Sequence, residues 1–558
     1  MPQLDERRRK MRKGALRTAL LAILVAIVLT SCSSPDGASG SKGNEGITGS
    51  KENATEKAQG AKTGASDLLI YGRGADSASL DPMRVTDLES FKVTKNIYDT
   101  LVDYGPDDTS IVPALATKWD VSKDGLTYTF TLREGVTFHD GTAFNAEAVV
   151  KNFERWMNGE RKKFPYYADM FGGFKGDKEH VIKEVKATGE YTVQFMLFRA
   201  QAPFLKNLGM PPFAIASPTA FTKDGDTYGQ HPVGTGPFVF KEWRGNETIT
   251  LERNEAYWDG APKLHTLVFQ VIPDNSARLN ALKKGEIDVM DGLNPSDADG
   301  VAQENDLQLL LRPPMNVAYI GFNTKKEPFG NPKVRRALNH AVDKQAIIDA
   351  FYAGKAEPAK NPMPPAIEGY NDDIEPYAYD LDKAKQLLAE AGYENGFEMD
   401  LWVMSAPRDY IPEPQKVAEA VQADFAKIGV KAKLVTYEWA SYTQKVREGE
   451  AHAYFLGWIG DNGDADNFIY VLLDPENVKM STGYKNDKLH ELLVAAQTET
   501  DEQKRNEMYK QAQVLIHEDT PWVPLAHGQA ILAAKSNVKN FKPHPTGADK
   551  LTNVYVEE

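Results

Sequence analysis

Residues 397–434 read FEMDLWVMSAPRDYIPEPQKVAEAVQADFAKIGVKAKL, and the apolar period changes twice within them. Phe397, Met399, Leu401 and Val403 alternate with Glu398, Asp400, Trp402 and Met404. That period of two places one set on each face of a strand ending near Met404. After a loop holding Pro407 and Arg408, the residues Val417, Val421, Phe425 and Ile428 recur at helical spacing as far as Gly429. A glycine there suits the left-handed conformation that stops a helix. Val430, Ala432 and Leu434 then alternate again. Strand, helix and strand make a βαβ unit, whose crossover should be right-handed and whose strands should lie in one largely parallel sheet.

A further helix is expected near residues 440–448, followed by the apolar run Ala453–Trp458 and then Gly460, Asp461, Asn462, Gly463 and Asp464. Open α/β sheets bind ligands beyond the carboxyl ends of their strands. Arg408 and Asp461 fall at two such exits. A guanidinium and a carboxylate facing one crevice can hold a zwitterion, the first gripping a carboxylate as a planar fork and the second accepting from an ammonium. Equally, each could cap a helix or pair with a surface neighbour, and spacing by itself leaves both readings open. Asp464 and Asp466 read as turn formers.

The same periods recur elsewhere. Leu126–Leu132 alternates after a Lys-Asp-Gly turn, Asn145 can cap a helix over 146–156, and Val334, Ala337, Leu338 and Ala341 form one helical stripe. A chain of 558 residues, 41% hydrophobic and 26% charged, is globular and too long for a single core. Its net charge is −14, and residues 1–31 hold seven Lys or Arg against two acids, so the remainder is near −19. So acidic a body argues against binding a nucleic-acid backbone.

Those first residues form a targeting segment: a basic cluster, then the eleven apolar residues Ala19–Leu29, too few to span a bilayer. The chain's single cysteine, Cys32, follows Leu29-Thr30-Ser31 directly. This resembles the lipobox of bacterial lipoproteins, which implies cleavage before Cys32, diacylation of its sulfur and attachment to the outer face of the cell membrane, in the Gram-positive manner. From Ser33 to Ser66 the only large aliphatic is Ile47, and such a stretch cannot offset its ordering entropy by burial. It reads as a flexible tether.

No catalytic constellation is complete. His517-Glu518 begins like a zinc-protease helix, but Pro521 stands where the second histidine is needed. Gly234-Thr235-Gly236 lacks the rest of a dinucleotide fingerprint, and no GxSxG elbow is present. His139 beside Asp140 could suggest acid-base or metal chemistry, and reads better as a structural turn. No cofactor and no metal is expected.

Six motifs carry a family resemblance: Asn96-Ile-Tyr-Asp-Thr-Leu-Val102, Pro113-Ala-Leu-Ala-Thr-Lys-Trp119, Leu132-Arg-Glu-Gly-Val-Thr-Phe-His-Asp-Gly141, Val233-Gly-Thr-Gly-Pro-Phe238, Asn254-Glu-Ala-Tyr-Trp258 and Val334-Arg-Arg-Ala-Leu338. Their order resembles the peptide- and nickel-binding proteins of bacterial ABC importers, the family 5 solute-binding proteins. Leu401–Tyr410 and Gly457–Asp464 look most like the dipeptide-binding branch. The resemblance implies a two-lobed α/β fold of the periplasmic-binding-protein type with mixed sheets and a hinge: lobe I over 67–313, lobe II over 314–522, and 523–558 returning to lobe I. It implies a non-enzymatic receptor, by default a monomer, that passes short peptides to a membrane permease and its ATPases. By the same likeness Arg408 holds the peptide carboxylate and Asp461 its amino terminus. Asp409, Tyr410, Trp458, Ile459 and Gly460 line the site, and Thr86 contributes from the other lobe. Thr86 also precedes Glu89 by three, the spacing of a capping box. Asp409 and Ala465 depart from the residues usual in that branch, which bears on side-chain preference. Longer peptides, nickel chelates and haem remain alternatives within the family, and a peptide hydrolase or a surface sensor outside it.

Overall fold

Three packed bodies, each with its own sheet, divide the described part of the chain. The computed structural model describes residues 65–557, apart from 406, 409, 438 and 475–482. The targeting segment, Cys32 and nearly all of the tether lie outside the described residues, as does Asp409.

The first body is a seven-stranded sheet in the order Leu307–Leu311, Ile531–Lys535, Val289–Met290, Leu68–Arg73, Thr266–Val271, Thr248–Arg253, Phe238–Arg244. The second is an antiparallel four-stranded sheet in the order Ala116–Val121, Thr127–Leu132, Thr192–Leu197, Ile182–Gly189. Thr127–Leu132 buries every second residue, as its alternation requires. Helix Ala146–Met157 shares this body's core through Val149, Phe153 and Trp156, and the Asn145 side chain accepts from the Ala148 amide at 3.0 Å to cap it.

The third body, lobe II, is a six-stranded sheet ordered Ala356–Pro358, Trp522–Gly528, Asn316–Phe322, Ala453–Ile459, Glu398–Met404, Lys431–Tyr437. Glu398–Met404 and Lys431–Tyr437 run parallel, joined through helix Pro414–Ala426, so the βαβ unit is present. Gly429 has φ +82°, the left-handed conformation its place after that helix calls for. The expectation of a largely parallel sheet needs correction. Ala453–Ile459 joins the unit in parallel, but Asn316–Phe322, Trp522–Gly528 and Ala356–Pro358 are all antiparallel to their neighbours. These strands come from distant parts of the chain, and nothing local in the 397–434 pattern encodes their direction.

The chain passes between sheets twice, after Leu311 into Asn316 and after Gly528 into Ile531. The return therefore falls at residues 529–530, not after residue 522, because Trp522–Gly528 pairs with lobe II. The two crossings are stitched together. The Arg312 amide donates to the Ala530 carbonyl at 3.0 Å, and the Asn316 side chain exchanges hydrogen bonds with the Gly528 backbone at 2.7 and 2.9 Å.

Candidate functional site

Arg408 sits four residues beyond the end of strand Glu398–Met404. Reciprocal backbone hydrogen bonds with Ile411, at 3.0 and 2.9 Å, close the loop around it. The Tyr352 hydroxyl anchors that loop by donating to the Tyr410 carbonyl at 2.7 Å. The guanidinium lies over the Trp439 ring, 4.2 Å from its centroid, and no carboxylate among the described residues pairs with it. An aromatic face orients a cation through its quadrupole while leaving the guanidinium's in-plane donors for another group.

Asp461 follows the neighbouring strand. Leu401 pairs with Ala453 and Trp402 with Tyr454 in parallel register, so both strands run out at the same edge of the sheet. The Asp461 carboxylate accepts from the Tyr166 hydroxyl at 2.9 Å and from the Asn467 side chain at 3.2 Å. Asn467 returns an oxygen to the Asp461 amide at 2.9 Å and to the Trp458 indole at 3.1 Å. Burial and the adjoining Asp461 charge together push the Tyr166 hydroxyl far above its ordinary value, so it stays a donor. These contacts hold the Asp461 carboxylate at the strand exit.

Tyr166 belongs to the body built on the four-stranded sheet, so this contact joins that body to lobe II. The next residues do the same. Asn462 donates to Asn207 at 2.7 Å, and the Thr109 hydroxyl donates to the Gly463 carbonyl at 3.1 Å. Asp464 caps helix Ala465–Leu473 and is held by Arg505 through two hydrogen bonds of 2.8 and 2.7 Å. Burial would raise the Asp464 carboxyl, but the Arg505 charge outweighs it and the net shift is downward.

A cavity of about 450 Å³ opens between the seven-stranded sheet and lobe II. This lies within the range of small-molecule sites, roughly 300–1,000 Å³. Arg408 and Ile459 are on its wall, with Glu89, Lys92 and Arg278 opposite. Asp461, two residues past Ile459, is not among the lining residues.

The remaining expected site residues behave differently. Ile459 is 46% exposed. Gly460 is fixed by its amide donating to the Met315 carbonyl at 2.8 Å. Trp458 is half-buried against the core. Tyr410 does not present its ring to the cavity: it is 5% exposed and packed so closely over Gly457 that any Cβ there would fall 2.3 Å from it. Thr86 is exposed and is not the cap of helix Leu88–Ile97. Asp87 takes that role, accepting from the Ser90 amide at 2.8 Å, since its shorter reach from the first helical residue fits the geometry. His139 bonds the Gly236 carbonyl at 3.0 Å and Asp140 accepts from Ser217 at 2.6 Å, both structural roles. Among the described residues no group of three or more His, Cys, Asp or Glu could hold a metal, and no helix is long and apolar enough to cross a membrane.

Sequence reasoning missed Tyr166, Trp439 and Lys355, the last of which also lines the cavity. Trp439 stands at the start of an expected helix, where an aromatic reads as packing. Tyr166 and Lys355 carry no motif at all, and only the fold brings them to the site.

The family model described as "Bacterial extracellular solute-binding proteins, family 5 Middle" matches residues 110–480. Heme-binding protein A of Haemophilus influenzae is 40% identical over 512 residues, covering 89% of this chain and 94% of that protein. The dipeptide-binding protein of Escherichia coli is 38% identical over 505 residues, covering 88% and 94%. Among solved structures, HbpA2 from Haemophilus parasuis superposes with a TM-score of 0.80 at 36% identity, covering 88% of this chain and 100% of that one. DppA from Helicobacter pylori in complex with peptide STSA gives 0.72 at 38% identity, covering 89% and 99%.

Proposed function

We propose, for a chain that belongs to the bacterial extracellular solute-binding proteins of family 5, that it captures short peptides, dipeptides foremost, and delivers them to an ABC importer. Members of the family are binding proteins of transport systems and not enzymes. The observation that carries the reading is Arg408: a half-buried guanidinium on an interlobe cavity, oriented by Trp439 and without a carboxylate partner among the described residues. Such a group is arranged to receive an anion from outside the protein. Asp461, on the adjoining strand exit, supplies the opposite charge for the ligand's ammonium.

Binding between lobes favours the joined form through contacts available only there, and closure strengthens both ion pairs by removing water. A peptide-binding relative and a peptide-bound neighbour support this reading. A haem-binding relative makes haem the competing ligand to test. No histidine or cysteine lines the cavity, and Tyr352 is its only aromatic among the described residues, which favours a small polar occupant. The protein acts as a monomer at the exterior face of the cell membrane, held there by acyl chains on Cys32.

Calorimetry with an unmodified dipeptide, its N-acetyl form and its C-terminal amide tests the clamp. Leaving one buried charge unpaired costs roughly 3–5 kcal/mol, about 10² to 10³-fold or more in affinity. Each capped ligand should lose that much, as should Arg408→Ala and Asp461→Ala with the free dipeptide. Equal binding of all three ligands, or haem binding in preference to them, rejects the reading.

A further inference from the structure

The cavity that Arg408 faces holds more positive charge than a dipeptide with uncharged side chains would need. Its described lining includes five cationic side chains, Lys92, Arg278, Arg312, Lys355 and Arg408, against two carboxylates, Glu89 and Asp291, in a chain of net charge −14. Three of the five are engaged within the protein. Lys92 bridges Glu89, at 2.7 Å, and Asp291. Arg312 grips Asp549 through two parallel hydrogen bonds of 2.8 Å each. Arg278 donates to the Asp291 and Pro273 carbonyls at 2.9 and 3.2 Å and to the Asn275 side chain. Burial would raise the Asp291 carboxyl, yet Lys92 and Arg312 outweigh it and hold it down at about 2, a sign of how positive this wall is.

Arg278 spends its donors on neutral oxygens, so Lys355 and Arg408 are the lining cations whose charged groups have no hydrogen-bonded or ion-paired protein partner among the described residues. Lys355 is positioned from both sides. Its amide donates to the Tyr352 carbonyl at 2.8 Å, and its carbonyl accepts from the Gln529 amide at 3.1 Å. The Tyr352 hydroxyl, through its 2.7 Å bond to the Tyr410 carbonyl, ties this turn to the loop bearing Arg408. Both cations therefore leave from one wall of lobe II. Two like charges on one partly dehydrated wall repel each other unless an anion enters, and a peptide's terminal carboxylate answers only one of them.

We propose that Lys355 is a second anion anchor, and that the cavity selects short peptides carrying an acidic side chain, whose carboxylate pairs with Lys355 while the terminal carboxylate pairs with Arg408. This rests on the peptide reading given above. An ammonium on a flexible stem suits the task, because it meets a side-chain carboxylate as a point charge without demanding one bidentate geometry.

The experiment is calorimetry of the full folded chain with four dipeptides, Ala-Glu against Ala-Gln and Glu-Ala against Gln-Ala, pairs that differ in charge and scarcely in shape. At least one acidic peptide should bind about tenfold more tightly than its amide counterpart, the effect of one partly desolvated ion pair. That ratio should fall to near one in Lys355→Gln and persist in Lys355→Arg, with thermal melts confirming that both variants are folded. Binding of all four peptides with equal affinity overturns this inference and leaves the peptide reading standing. Failure of all four to bind overturns the peptide reading and this inference with it. A ratio that survives in Lys355→Gln removes Lys355 from the role.

Discussion

Gly463 offers the sharpest test of whether the loop after strand Ala453–Ile459 couples ligand capture to the joining of the lobes. Its φ is +65°, and a Cβ added there would lie 2.3 Å from the Thr109 Cβ and 2.4 Å from both branches of that side chain. Two costs follow from Gly463→Ala. The left-handed conformation costs an alanine about 1–2 kcal/mol wherever the loop keeps its shape, whether or not the lobes touch. The collision with Thr109, together with loss of the 3.1 Å hydrogen bond from its hydroxyl, acts only when they touch, and forfeiting that bond alone is worth about 1 kcal/mol. Displacing a 4% exposed threonine adds up to about the same again. Dipeptide affinity measured by calorimetry should therefore fall about 5- to 30-fold. Thr109→Gly removes the obstructing atoms, so the double variant should bind more tightly than Gly463→Ala alone, with a coupling of about 1 kcal/mol or more. If the two substitutions simply add, or Gly463→Ala binds like the parent, the loop is not an interlobe joint and the reasoning fails.

Two further outcomes are expected. Asp466 is half-buried, its carboxylate turned toward Tyr509 and Gln497, and burial with the neighbouring Asp464 charge pushes it from 3.8 up to about 7. Between those values the folded chain keeps a proton that the unfolded chain has released, so this residue lowers stability as pH rises from about 4 to 7. Asp466→Asn should therefore melt increasingly above the parent across that window, and a pH-independent difference would refute the shift. Cys32→Ser should release the protein from membranes into the soluble fraction, and a variant that still fractionates with membranes would refute lipid attachment through Cys32.

Much of lobe II's secondary structure was legible in residues 397–434, because alternation and helical spacing are written in neighbouring residues and burial enforces them. Strand Glu398–Met404, helix Pro414–Ala426 and strand Lys431–Tyr437 all stand where those periods place them. The exits bearing Arg408 and Asp461 followed from strand ends alone. The packing of Tyr410 was not legible, because Gly457 on the adjacent strand leaves a slot for its ring that only the folded sheet reveals. At the start of helix Leu88–Ile97 both Thr86 and Asp87 could cap, and backbone geometry chose Asp87, which the spacing of Thr86 to Glu89 does not reveal.

By itself, then, the chain determined its elements, the βαβ unit and the two charged strand exits, since each depends on contacts a few residues apart. The tertiary structure alone decided who meets those charges. Tyr166 reaches Asp461 across 295 residues, Trp439 lies over Arg408, and Lys355 joins Arg408's wall through a tyrosine hydroxyl. Partners of this kind depend on how distant segments return to one cleft, and no local period can record that.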